Sequence, residues 1–185
     1  MTTPWKQTPS DESGQALVEL ALSALVLLTL VFGAIDFSRA IYYVQVMKNL
    51  TAEGSSMSSR GTSLVQTAQT VVTDAGTNLS LSTKGCVITT SVLDTTSAQG
   101  GSTYTVTGQA TQGNCTGITS QIGCFPPPST CGTATLPTEA AAALQSSQTL
   151  YITEIYYTFS TVTPIGALLK NATVLPSQLY DAAYY

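Results

Sequence analysis

Hydrophobic positions in this chain follow three different periods in turn. Residues 1–14 are polar, with Pro4, Pro9 and the acidic pair Asp11 and Glu12. From Ala16 to Ile35 the sequence reads ALVELALSALVLLTLVFGAI, apolar nearly throughout and interrupted by Glu19, Ser23 and Thr29. Such a run, about 20 helical residues at about 1.5 Å each, reaches about 30 Å, the thickness of a bilayer core. Val44, Met47 and Leu50 then continue an apolar stripe at helical spacing, while Gln45, Lys48 and Asn49 face elsewhere. This pattern predicts a helix that outlasts a membrane and weakens near Gly54 and the Ser-rich run before Gly61. Leu64, Val65, Ala68, Val71, Val72 and Ala75 renew the helical period, with Gly76 as its cap.

From about Lys84 the period becomes two. Cys86–Leu93 (CVITTSVL) and Thr103–Ala110 (TYTVTGQA) alternate β-branched and polar residues, and Gly100-Gly101 falls between them as a turn. A third run, Thr149–Thr163, places Tyr151, Ile155, Tyr157 and Phe159 on one face before Pro164 ends it. The expectation is an α+β chain: a long N-terminal hydrophobic helix followed by a small antiparallel β domain with disulfides, three strands packing one apolar face against the helix. The Tyr-rich end, Tyr180 to Tyr185, reads as a strand or tail returning to that module, against the alternative of a contact patch.

Composition narrows the function. Only 9% of the residues are charged, Ser and Thr supply about a quarter of the chain, and the net charge is −4. Hydroxyls rather than charges therefore keep the surface wet. Six scattered Lys and Arg give no basic face, which argues against nucleic acid as a partner. Histidine is absent, which removes the usual general base and the commonest metal ligand. No acid, base and nucleophile form a constellation; Glu139 and Glu154 read as isolated, Glu154 as a solvated position in its strand. The expectation is a protein that is not an enzyme and takes no cofactor.

Glu19 is the anomaly of the apolar run, because a carboxylate inside a membrane-length helix costs a few kcal/mol or more. A secretory signal peptide does not fit: the run is too long, no A-x-A site closes it, and Lys6 is the only basic side chain before it. A plain single-pass anchor fits but leaves Glu19 unexplained. The third reading takes Gly14-Gln15-Ala16-Leu17-Val18-Glu19 as a unit, which resembles the processing site of type IV prepilins. There a membrane peptidase cuts after the Gly, and Glu becomes the fifth mature residue. Cleavage would free an amine on Gln15, and a neighbouring copy, shifted along the bundle, could set its Glu19 beside that amine. An opposite-charge contact in a low-dielectric core offsets part of the burial cost and fixes register.

The chain continues FGAIDFSRAIYYVQVMKNLTAEGSSMSSR. Together with GQALVELAL this resembles the N-terminal signature of TadE-like proteins, pseudopilins or minor pilins of tight-adherence (Tad) pilus systems. The matching positions are Gly14, Gln15, Glu19, Gly33, Asp36, Phe37, Arg39, Asn49, Glu53 and Gly54. Family leaders are typically basic, whereas this one sets Lys6 against Asp11 and Glu12. The resemblance implies a leader over 1–14, a helix over 15–60 for membrane and filament core, and an extracytoplasmic α+β domain over 61–185. It implies an inner-membrane precursor with its N-terminus in the cytoplasm, later carried to a surface pilus that supports attachment. The implied partners are other pilin subunits, a prepilin peptidase, an inner-membrane assembly platform and, before assembly, membrane lipid. The different reading from another class is a membrane-anchored binding or adhesion module that never polymerises.

Asp36 and Arg39, three apart, fit a surface ion pair where the helix leaves the membrane, with Tyr42 and Tyr43 as an aromatic belt. Four cysteines, Cys86, Cys115, Cys124 and Cys131, lack a C-x2-C pair, so disulfides fit better than zinc. Three pairings are open; Cys124–Cys131 would close the Pro-rich loop and Cys86–Cys115 would tie loop to strand. All four asparagines, Asn49, Asn78, Asn114 and Asn171, stand in N-x-Ser/Thr triplets, a pattern of glycan acceptors that abundant hydroxyls also produce by chance.

Overall fold

A computed structural model describes residues 12–95, 103–124, 131–144, 148–164 and 176–185. Leader residues 1–11, the expected Gly100-Gly101 turn, the Pro-rich loop 125–130 and Asn171 lie outside these. The chain divides into two compact units, Met1–Ser38 with Thr161–Leu175, and Arg39–Ser160 with Pro176–Tyr185.

The first helix, α1, runs Glu12–Ser59 and contributes to both units. It does not weaken at Gly54. The glycine is there because the sheet comes close: a Cβ would lie 2.9 Å from Thr153 Oγ1 and 2.9 Å from Val71 Cγ2. The helix ends instead at Ser59, and Gly61 turns the chain just past it with a φ of +97°, which favours a residue without a Cβ. After it, Ser63 caps α2 (Leu64–Asp74) by accepting the Gln66 N–H at 3.3 Å. Two single turns, α3 (Gly76–Leu79) and α4 (Leu81–Lys84), lead into the sheet.

Four antiparallel strands follow, β1 (Gly85–Asp94), β2 (Tyr104–Gly113), β3 (Thr149–Thr158) and β4 (Gln178–Tyr184), in the order β2-β1-β3-β4. A short helix, α5 (Thr138–Ala143), precedes β3. The fold class expected from the period change is present, with one strand more than the three anticipated. That fourth strand is the Tyr-rich end, paired to β3 with Tyr156 opposite Tyr180 and Ile152 opposite Tyr184. The third strand stops at Thr158 rather than Thr163.

Both faces of the central strands are covered, so β1 and β3 are buried along nearly their whole length. One face meets the second half of α1 and α2: Met47 and Leu50 of α1 are buried, the Tyr43 ring lies 5.3 Å from that of Tyr157, and the Thr89 hydroxyl donates to the Leu64 carbonyl. The other face packs Val92, Leu150 and Ile152 with Ile122, Ala134 and Ala140, and Cys86, Ile88 and Tyr156 with Cys115 and Ile118. With both faces covered, neither central strand keeps a wet face, and their polar residues Thr89, Thr90, Ser91, Thr153 and Glu154 are buried along with the apolar ones. Disulfides Cys86–Cys115 and Cys124–Cys131 hold the β2–β3 connection.

Candidate functional site

Gly14, Gln15 and Glu19 all lie in the first turns of α1, and all three are exposed. Gln15 and Glu19, four apart, share one face of the helix. The first backbone N–H groups of a helix have no intrahelical partner, so the Gly14–Gln15 bond sits where a helix frays most readily. A Cβ built on Gly14 meets nothing within 4 Å. The fold therefore does not require glycine at this position, although glycine costs a helix about 1 kcal/mol relative to alanine.

From Ala16 to Ile35, with Glu19, Ser23 and Thr29 as interruptions, the helix is apolar on every side and largely exposed. Leu17, Val18, Leu20, Leu22, Leu25, Val26, Leu27, Leu28, Leu30 and Val31 are each more than half exposed. A helix that is hydrophobic on every side belongs in lipid or among other apolar helices. Covering these ten side chains is worth on the order of 10 kcal/mol or more. Among the described residues, α1 is the one helix long and apolar enough to cross a membrane, which fits a single membrane-anchoring span.

Of the polar residues that follow, Asp36 does not lie at the surface. Asp36 is fully buried and accepts the N–H groups of Val162, at 3.0 Å, and Thr163, at 3.4 Å, together with the Thr163 hydroxyl. In the second unit, Arg39 donates through Nη2 to the Tyr43 hydroxyl at 2.9 Å. Tyr43 is turned toward the sheet, edge-on to Tyr157 and Phe159, whereas Tyr42 stays 48% exposed. Of the expected aromatic belt, only Tyr42 keeps a place at the surface. Burial pushes the Tyr157 phenol up, and the neighbouring Tyr43 adds to the shift.

The largest departure from expectation is Glu154, which is completely buried rather than solvated. Its carboxylate accepts the Gln121 N–H at 2.9 Å and the hydroxyls of Tyr156 and Tyr180 at 3.1 and 3.2 Å, and the Ser120 hydroxyl donates to its other oxygen. Four donors satisfy the lone pairs of a buried acid in place of a cation. The same bonds fasten the 120–123 turn to the sheet, because Ser120 Oγ also accepts the N–H groups of Ile122 and Gly123. Burial raises the Tyr156 and Tyr180 phenols far above the ordinary tyrosine value, and the Glu154 carboxylate raises both further. Near this cage Gln121, Ile122, Glu139, Tyr180, Asp181 and Tyr184 line a shallow cavity of about 320 Å³. No group of three or more potential metal ligands gathers among the described residues.

The sequence pointed to Gly14, Gln15 and Glu19 and missed Glu154 and the burial of Asp36. For Glu154 a signal was present, since it stands between Ile152 and the run Ile155-Tyr156-Tyr157 in a strand too apolar to have a wet face. Asn49, Asn78 and Asn114 are exposed, and Asn114 donates to the Thr83 carbonyl.

A family model described as TadE-like protein matches residues 14–56. The match opens on Gly14 and closes just past Gly54, so it covers most of α1 and none of the sheet. Comparison with curated proteins and with solved structures finds no match.

Proposed function

We propose that this chain is a non-enzymatic pilin-like subunit, a minor pilin or pseudopilin of a Tad-type pilus. It is cut after Gly14 by a prepilin peptidase and assembled through α1 into a pilus or its base, in support of surface attachment. The observation that carries the reading is the coincidence of two limits. The TadE-like match begins at Gly14, two residues before the exposed apolar run of α1. A glycine that packing does not need supports recognition by another protein at that position. The precursor is held in the inner membrane by residues 16–35 with its N-terminus in the cytoplasm, and the disulfide-bonded module is exported. Its partners are the apolar helices of other pilin subunits and an inner-membrane assembly platform.

In this reading Glu19 neutralises the new amine on Gln15 of an adjacent copy and sets the stagger between helices. The test is Glu19→Ala in the native host. Cleavage after Gly14 should continue, while the amount of subunit in sheared filament or assembly fractions falls several-fold. Unchanged incorporation would contradict the pairing, and uncleaved, detergent-extractable monomers in the wild type would favour a tethered adhesion module.

A further inference from the structure

The apolar run of α1 ends at Ile35, and the next residue is a buried carboxylate that holds a turn of chain from 126 residues away. That turn is Thr161–Pro164. Two of its backbone N–H groups and the Thr163 hydroxyl are directed at Asp36. The side chains beside this polar knot are apolar and open: Ile35 is 44% exposed, Phe37 55% and Val162 68%. None of the four turn residues is charged.

Irregular backbone is tolerated at membrane depth only where its polar groups are bonded within the protein, because each unbonded group costs several kcal/mol there. Asp36 meets that condition for Val162 and Thr163. The exchange is mutual, since a carboxylate at the edge of the hydrocarbon is itself costly without donors. An exposed valine next to satisfied backbone gains nothing in water and gains burial in lipid.

We infer that the turn Thr161–Pro164 is a second membrane contact of this chain. It is seated at the boundary of acyl chains and headgroups where α1 leaves the bilayer, with Asp36 as the residue that positions it. The inference rests on residues 16–35 being a membrane span, as proposed above. Lipid is the occupant because the Val162 backbone is one hydrogen bond from the residue that follows the span. Its exposed side chain therefore falls at the depth where the span ends.

The test uses the full chain in phosphatidylcholine vesicles, with Trp5→Phe removing the only tryptophan. Single tryptophans are introduced as Leu28→Trp, Val162→Trp and Gln112→Trp, and quenching by lipids brominated near the headgroup or deep in the acyl chain is compared. Leu28→Trp should be quenched most by the deep bromines. Val162→Trp should emit to the blue and be quenched several-fold more by shallow bromines than Gln112→Trp, an exposed position of β2. Adding Asp36→Ala, or the milder Thr163→Val, should weaken the shallow quenching at Val162→Trp.

Strong quenching at Leu28→Trp with none at Val162→Trp would overturn the second contact and leave the span standing. Absence of quenching at both would overturn the span reading and this inference together. A blue shift at Val162→Trp that depends on protein density and not on brominated lipid would assign the turn to a second copy and also overturn the inference.

Discussion

The Thr51 hydroxyl of α1 donates to the Asp181 carboxylate of β4 at 2.6 Å, joining positions 130 residues apart. One turn later the Ser55 hydroxyl donates to the Ala183 carbonyl at 2.7 Å and accepts the Thr153 N–H at 3.1 Å. Strand β4 is thus fastened to the second half of α1. Thr51→Val, which keeps the shape and removes the donor, should destabilise the module by about 1–2 kcal/mol. Urea unfolding of the full chain in detergent micelles reads this directly; an unchanged midpoint would mean that the contact carries no net stability.

Gly54 and Gly33 make a paired experiment on the same helix. Alanine improves helix propensity by about 1 kcal/mol at either position. At Gly33 a Cβ meets nothing within 4 Å, so Gly33→Ala should be neutral or stabilising. At Gly54 it meets the branched side chains of Thr153 and Val71 at 2.9 Å, and overpacking costs about 1–3 kcal/mol. Gly54→Ala should therefore lower the unfolding midpoint, and a rise would contradict the close approach of helix and sheet.

Among the described residues Glu154 is held by neutral donors and not by a cation, so its substitutions test the cage itself. Glu154→Leu strands the donors of Ser120, Gln121, Tyr156 and Tyr180 and should cost about 3 kcal/mol or more. Glu154→Gln retains one acceptor oxygen and should cost distinctly less. Equal losses in denaturant unfolding would show that shape, and not acceptance, is what the site needs.

The two caged phenols also set a pH limit. Burial first, and then the Glu154 carboxylate, make Tyr156 and Tyr180 hold their protons more tightly folded than unfolded. Their contribution is complete below the unfolded tyrosine value near 10 and is lost as pH rises above it. Stability should fall above pH of about 10, and Tyr156→Phe should make that fall shallower. The check is the unfolding midpoint across alkaline pH; an identical slope in the variant would contradict the assignment.

The two disulfides differ in reach. Cys86 and Cys115 are separated by 29 positions and Cys124 and Cys131 by 7. On the chain-entropy account the longer loop contributes about 3–4 kcal/mol and the shorter about 2–3. Replacing Cys86 and Cys115 together should lower stability by about 1 kcal/mol more than replacing Cys124 and Cys131. The reverse order in unfolding measurements would count against it.

Local pattern was enough where local physics decides. The membrane-length run, the period change near Lys84 and the buried side of Met47 and Leu50 are all readable from side-chain spacing. Features set by distant chain were not. Gly54 looks like a helix breaker until Thr153 is seen against it. The third strand looks longer than it is because nothing near Val162 and Thr163 announces that Asp36 will take their N–H groups. Glu154 looks solvated because Ser120 and Tyr180 lie 34 and 26 residues away.

In the proposed function the polar head is removed after Gly14 so that α1 can stack with its neighbours. Intact mass and N-terminal sequencing of the protein purified from its own host measure this directly. The mature chain should begin at Gln15, with Glu19 as its fifth residue. A chain that still begins at Met1, or one cut beyond residue 30, would contradict it.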